Sequence, residues 1–528
     1  MATVTKTGEN KPEAAPSWLV RVDDWCERFG DSLNPILVKE TRQALKSRQF
    51  VVSFSVLLFA ALGWTIIGSL SLMPQIYTSP SASRMLIGYY LVLALPMLLV
   101  VPMAAYRSLE GEIDDGTLEM LSITTLSPWQ IVLGKLASAM LQMLLYFVAL
   151  FPCVAYAYTL RGVDLPTTLL IMAILIVAAI MLTIIALCFA PLSRTRTGRI
   201  STLLAVMIIL LLSEWGLAYL VIMMIMYGNP LSSEWIFFLV TAAVLISISL
   251  GHLLLTVTAA QLTPESENRS THIRVSMMVL TAVVLGLTTL AVQTLGQEGI
   301  SVAVTFGMGL ALAWTLCGSM LAAESPVTTP RIRRELPKSF IARSMLTWLT
   351  PGPVTGLVFA TVNILVLCGV LLYGLEFVFS QPGINAPPFL TTMLMRFCIA
   401  YTAYLIGFLV AVRMVVGVIR INNHPRAEIG LAALIAIAVL SSLVPYSIGL
   451  HLNDYRPYSY SAWQITNWVW TLGEILNRGS MYWEVAVIVV VVSVGFFACV
   501  LTMPQLVLPR RIATPLRVQQ EMKSTQRD

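Results

Sequence analysis

Long stretches in which nearly every residue is apolar, parted by short polar turns, dominate the chain. Neither the alternation of a half-buried strand nor the single stripe of a soluble amphipathic helix describes them. Each is about 20 residues or longer, the length a helix needs to cross the hydrocarbon core of a bilayer. They lie near Phe50 to Met73, Leu86 to Tyr106, Gln130 to Tyr158, Leu165 to Leu192, Ile200 to Met226, Glu234 to Ala260, Val275 to Leu295, Ser301 to Ala323, Val354 to Phe379, Leu390 to Val412, Ile429 to Leu450 and Glu484 to Gln505. The pattern predicts an all-α polytopic membrane protein with about twelve transmembrane helices.

Composition agrees. Of 528 residues 57% are hydrophobic and 11% charged, whereas about a quarter of a soluble chain is charged. The net charge of +6 forms no single basic face, which argues against nucleic acid as a partner. Cys26, Cys153, Cys188, Cys317, Cys368, Cys398 and Cys499 are scattered, so neither a disulfide framework nor a CxxC metal site is expected. No apolar core of a cleaved signal peptide precedes residue 30.

The count of spans can be tested by charge, because one missed span would invert every later loop. With the N-terminus inside, four of the 33 Lys and Arg fall in outer loops, Arg84, Arg161, Arg456 and Arg478, and Arg396 lies within a span. All others are inside, so both termini are expected to be cytoplasmic, in a cell (inner) membrane. Two stretches read as interfacial. In the N-terminal arm, Trp18, Val22, Trp25 and Phe29 recur at helical spacing. Asn34-Pro35 then opens a basic amphipathic helix through Lys39, Arg42, Lys46 and Arg48. On the outer side Ile465, Trp468, Val469, Leu472 and Leu476 form an apolar stripe, either an outer-leaflet helix acting as a lid or an aromatic anchor.

Between the second and third spans, Arg107 to Trp129 carries Glu110, Glu112, Asp114, Asp115 and Glu119 on the side that elsewhere collects positive charge. Acids placed ahead of Leu118 and Leu121 suit the first turn of a short helix, with Ser127-Pro128 restarting the chain as the third span. Such a helix is either a docking knob for a soluble partner or a solvated loop.

Glu110, Glu112, Gly116, Thr117, Leu118, Glu119 and Leu121, followed by Leu126-Ser127-Pro128-Trp129 and Gly134-Lys135-Leu136, resemble the coupling-helix region of ABC-2 type transporter permeases. The arm with Pro35, Lys39, Glu40, Arg42 and Arg48 looks like that family's elbow helix. The resemblance covers about residues 30–260. It implies the membrane subunit of an ATP-driven exporter, not itself an enzyme, whose loop near Leu118 sits in a groove of a separate ATPase subunit. ATP and Mg would then be bound by that partner, and no cofactor by this chain. The residues agree on the last point: a P-loop needs Gly-Lys-Ser/Thr, and the one Gly-Lys, Gly134-Lys135, is followed by Leu136 in a run read as lipid-facing.

Four segments follow from this: a cytoplasmic arm with interfacial elbow helices (1–49), a six-helix permease unit with the coupling helix near 107–129 (50–260), a second six-helix unit (261–505) and a basic cytoplasmic tail (506–528). The second unit is either a degenerate repeat or an accessory half, since Leu349-Thr350-Pro351-Gly352 echoes Leu126 to Trp129 while the loop around it is basic, with Arg331, Arg333, Arg334 and Lys338. A homodimer through the first halves fits the accessory alternative.

Ionisable residues inside spans are costly and point to function. Glu214 and His252 are the pathway candidates; Arg396, Arg413 and Glu376 lie where they can snorkel. Pro96, Pro102 and Pro152 lie within spans as potential kinks. The rival function is an ion-coupled secondary transporter, which also commonly has about twelve helices and internal repeats. An intramembrane enzyme would need a polar cluster at one depth, and the four histidines, His252, His272, His424 and His451, fall in separate segments.

Overall fold

A bilayer core offers no partners to free backbone groups, so the apolar stretches satisfy every N–H and C=O within their own helices. The computed structural model describes residues 35–478 except 75–78, 117–126, 163–164, 193–195, 228–231, 265–266, 326–345 (apart from 333, 339 and 341), 381–387 and 423–427; beyond 478 it describes 493, 515 and 520. Helix α1 is Pro35–Lys46, α2 Arg48–Ser71, α3 Ala82–Asp114, α4 Pro128–Thr159, α5 Leu165–Phe189 and α6 Arg196–Tyr227. Then come α7 Ser233–Leu262, α8 Ser270–Leu295, α9 Gln297–Ala322, α10 Pro353–Phe379, α11 Pro388–Asn422, α12 Glu428–Leu452 and α13 Trp468–Arg478. Among the described residues there is no strand. Among the described residues eleven helices, α2 to α12, are long and apolar enough to cross a membrane, which makes the chain a multi-pass membrane protein. The expected twelfth stretch, Glu484 to Gln505, lies outside the described residues except for Ser493, whose hydroxyl donates to the Ala403 carbonyl at 2.7 Å.

The chain forms two compact units, Met1–Asn229 and Pro230–Asp528. The sixth span, α7, thus groups with the second unit: Phe238 and Ala242 share a buried cluster with Leu287 and Ala291 of α8. In the first unit α3 is the central helix, with Met85, Tyr89, Tyr90, Leu93, Met97, Leu98, Tyr106 and Leu109 fully buried. Pro96, which has no N–H to give, begins a π turn over Pro96–Val100, and Val101 N–H reaches back to the Pro96 carbonyl. Close packing next to it depends on Gly88, where a Cβ would lie 1.9 Å from the Trp64 ring of α2. The outward face of α2, with Val52, Phe59, Ile66 and Ile67, is exposed as a lipid-facing surface.

The third span opens on a reciprocal cap. Ser127 Oγ accepts from the Gln130 N–H at 3.3 Å, and Gln130 Oε1 accepts from the Ser127 N–H at 2.9 Å, with Pro128 at the first helical position. Ser127→Ala is expected to cost about 1 kcal/mol, read as a lower melting temperature of the purified protein.

In the second unit α9 is surrounded by α8, α10, α11 and α12. Trp314 is fully buried, donates to Thr281 Oγ1 at 2.9 Å and meets Phe359 edge-on at 5.4 Å. Small residues bring these helices close: a Cβ at Gly356 would lie 2.9 Å from the Leu321 carbonyl oxygen, and one at Gly430 only 2.1 Å from that of Ser319. The segment from Ile465 to Leu476, read from sequence as interfacial, is held to α11 and α12 by polar contacts. Tyr404 donates to the Ile465 carbonyl, Trp468 Nε1 to that of Ala438 at 3.0 Å, and Ser442 to Asn467 Oδ1 at 3.0 Å.

Candidate functional site

Lys39, Glu40 and Glu112, singled out in the first unit, converge at one end of it. The helix of the second span does not stop where its apolar run stops, near Tyr106, but continues to Asp114. Glu110, Glu112 and Asp114 therefore end the span-2 helix instead of beginning a separate short one. That is the negative end of a helix dipole, where each carboxylate costs a few tenths of a kcal/mol to about 1 kcal/mol. Nearby cations offset this cost.

Lys135 is the hub. It sits two turns into α4, with its side chain 1% exposed, so the run that contains it is not lipid-facing at this position. Its ammonium lies 3.2 Å from Glu40 Oε1 and 3.1 Å from Glu112 Oε2, and donates to Ser108 Oγ at 2.7 Å. Ser108 in turn donates to Glu40 Oε2 at 3.0 Å. Lys39 closes the group from α1, donating to Glu112 Oε1 at 3.2 Å. The charges balance, with Lys135, Glu40 and Glu112 largely buried and Lys39 exposed at the rim, which makes the burial tolerable, because an unpaired buried charge here would cost several kcal/mol. Ile36 and Glu40, one turn apart, are the buried positions of α1, and α1 packs along α4.

A second contact reaches α6. Arg199 forms an ion pair with Asp114, Tyr106 and Thr202 share a hydrogen bond at 3.1 Å, and Tyr106 reaches Glu110 Oε1 at 3.5 Å. The ends of α1, α3, α4 and α6 are thus tied together by side-chain polar contacts. At the tip, Gly116 takes φ +67° and donates to the Ile113 carbonyl at 3.3 Å, a left-handed residue closing the helix. Thr117, Leu118, Glu119 and Leu121 lie outside the described residues. Pro35 opens α1, while Arg42 and Arg48 are exposed.

The two pathway candidates fall in different units. Glu214 is half-buried on α6 of the first, and His252 on α7 of the second faces Ser276 Oγ with Nδ1 at 3.2 Å. Arg413, read as able to snorkel, is instead buried, at 4% exposure. Sequence reasoning quoted Lys135 only within the motif and did not name it, Ser108 or Arg199 as site residues; a lysine two turns inside an apolar span was the available signal, and its carboxylate partners are Glu40 and Glu112.

The second unit holds a polar group of its own. Arg274 of α8 is fully buried and Glu324 follows the end of α9, their side chains 3.1 Å apart. Burial pushes the Glu324 carboxyl above the usual carboxylate range, against the pull of Arg274.

No family model, curated protein or solved structure matches the chain.

Proposed function

We propose that this protein is the membrane subunit of an ATP-driven exporter of the ABC-2 type, moved by a separate ATPase that docks at the loop after α3. It resides in the cell (inner) membrane with both termini inside. The observation that carries this reading is the ionic junction of Lys39, Glu40, Glu112 and Lys135, which joins the N-terminal amphipathic helix to the ends of the two spans that border that loop. A loop hung from such a junction cannot move alone: a push on it is delivered to α1, α3 and α4 together. Glu112 serves this internal tie, Glu110 meets Tyr106 beside it, and Thr117, Leu118, Glu119 and Leu121 supply the contact with the partner. Glu214 acts later, within the span bundle.

Two substitutions test the docking. Gly116→Pro removes the donor to Ile113 and forbids a positive φ, and Leu118→Asp puts a charge where an apolar contact is needed. Both are expected to release the ATPase while helix content by circular dichroism stays unchanged. Retention of the ATPase by both variants overturns the assignment.

A further inference from the structure

The fifth span, α6, carries one acid in its middle. Its buried positions are Thr202, Val206, Leu210, Val221 and Ile225. Glu214 follows Leu210 by four residues and precedes Val221 by seven, which places it on the same face of the helix. It lies in the seam that packs inward, while its neighbour Trp215 is 79% exposed. Glu214 is thirteen residues from Tyr227 and eighteen from Arg196, the two ends of α6, so neither end is within snorkelling distance.

Across this seam lies α3. As second and fifth spans the two helices run antiparallel, and the hydrogen bond between Tyr106 and Thr202 sets their register. From that bond Tyr90 lies about 24 Å along α3 and Glu214 about 18 Å along α6, at a rise of 1.5 Å per residue. The two side chains therefore stand at nearly the same depth, and Tyr90 is within electrostatic reach of Glu214. Tyr90 is 0% exposed, and its hydroxyl has no hydrogen-bond partner among the described residues. The other tyrosines of the bundle are satisfied: Tyr89 shares a bond with Thr65 Oγ1 at 2.7 Å, and Tyr156 one with Ser69 Oγ at 3.1 Å. A buried hydroxyl left without a partner is costly and asks for an explanation.

Glu214 likewise makes no hydrogen bond or ion pair among the described residues. The helices of its unit offer it no base. Lys135 is held by Glu40 and Glu112, and Arg199 by Asp114. The other Lys and Arg residues of α2 to α6, Arg48, Arg84, Arg107 and Arg196, lie within seven residues of a helix end. An acid inside a span is expensive and ordinarily finds a partner of opposite charge. A divalent metal ion would need about six oxygen ligands, more than one carboxylate and one hydroxyl supply. A protonated amine needs only what is present: its charge meets the carboxylate, and one N–H is donated to the tyrosine oxygen. Leu93 and Met97, following Tyr90 on the buried face of α3, give an apolar body somewhere to rest.

We propose that Glu214 and Tyr90 bind a protonated amine attached to an apolar body, which makes cationic amphipathic molecules the substrate class. The inference rests on the permease reading for its transport step alone; the binding needs no ATPase.

The test measures binding of 2-phenylethylammonium to the full chain in phosphatidylcholine nanodiscs by isothermal titration calorimetry. Beside it runs the N,N,N-trimethyl analogue, which keeps the charge and has no N–H. Both are expected to bind the native chain, and Glu214→Gln is expected to weaken both about tenfold or more. Tyr90→Phe is expected to weaken the primary ammonium about two- to tenfold, the worth of one hydrogen bond, and to leave the trimethyl analogue unchanged. The native chain gives a second reading that no substitution disturbs: 2-phenylethylammonium should slow the modification of Glu214 by a hydrophobic carbodiimide, followed by peptide mass spectrometry. Absence of that protection, or binding unaltered by Glu214→Gln, overturns the site. An equal loss of both probes in Tyr90→Phe removes Tyr90 from it. Weaker apparent binding in phosphatidylethanolamine nanodiscs identifies a lipid amine as the natural occupant, and equal binding a free amine. A chain that binds the probes but never co-elutes with an ATPase keeps the site and loses the permease reading; a chain that co-elutes with one and binds neither probe does the reverse.

Discussion

Lys135→Met is expected to destabilise the first unit by about 3–5 kcal/mol, the range for removing one partner from a buried ionic group. The methionine fills nearly the same volume, so the loss is not one of packing. It arises because Glu40 and Glu112 are left facing each other, with only the exposed Lys39 close to both. Ser108 loses its donor at the same time. The melting temperature of the purified chain should therefore fall sharply for Lys135→Met. Adding Glu40→Gln and Glu112→Gln to it should recover much of the loss, since the three changes together leave no carboxylate unpaired at the hub. A triple variant no more stable than the single one would show that Lys135 acts by shape and not by charge.

Gly430→Val should be comparably severe for a different reason. Any Cβ at this position lies 2.1 Å from the Ser319 carbonyl oxygen and 2.8 Å from Ala323 Cβ. Backbone atoms cannot rotate aside, so α12 has to move off α9. Between helices in lipid there is little hydrophobic force to restore the contact, because the tails are as apolar as the side chains, and close packing is what is lost. A cost of about 3 kcal/mol, the upper end for overpacking, is expected in the unfolding of the second unit. Gly369→Ala is the control: nothing lies within 4 Å of the added methyl, so this change should be neutral or slightly stabilising, as glycine in a helix costs roughly 0.5–1 kcal/mol relative to alanine.

Hydropathy located the eleven described spans because burial of apolar surface in lipid needs no partner to be inferred; the length of an apolar run is enough. It ended the second span too early, at Tyr106, because hydropathy measures where the lipid ends and not where the helix ends. Residues from Arg107 to Asp114 stay helical through contacts with Lys39, Lys135 and Arg199, which lie in other segments and have no signature within the loop itself. The same blindness explains why Glu112 and Asp114 read with the rest of the loop as part of a docking knob or a solvated loop: in the fold these two are held by the chain's own cations. Lys135 was legible as a charge in an apolar run, but its partner Glu40, 95 residues earlier in sequence, was not. The bond from Arg274 to the Gly352 carbonyl was still harder to read, since half of it is backbone. Glycine and proline at 352 and 353 announce a turn without saying what grips it.

The measurement closest to the central claim is purification of the tagged native chain from its own host in a mild detergent, with quantification of whatever co-elutes. The expected result is a soluble P-loop ATPase at a fixed ratio to the chain, released by Leu118→Asp. A folded chain that repeatedly elutes without an ATPase, in membranes whose transport collapses when the proton gradient is dissipated, would contradict the account and favour an ion-coupled transporter.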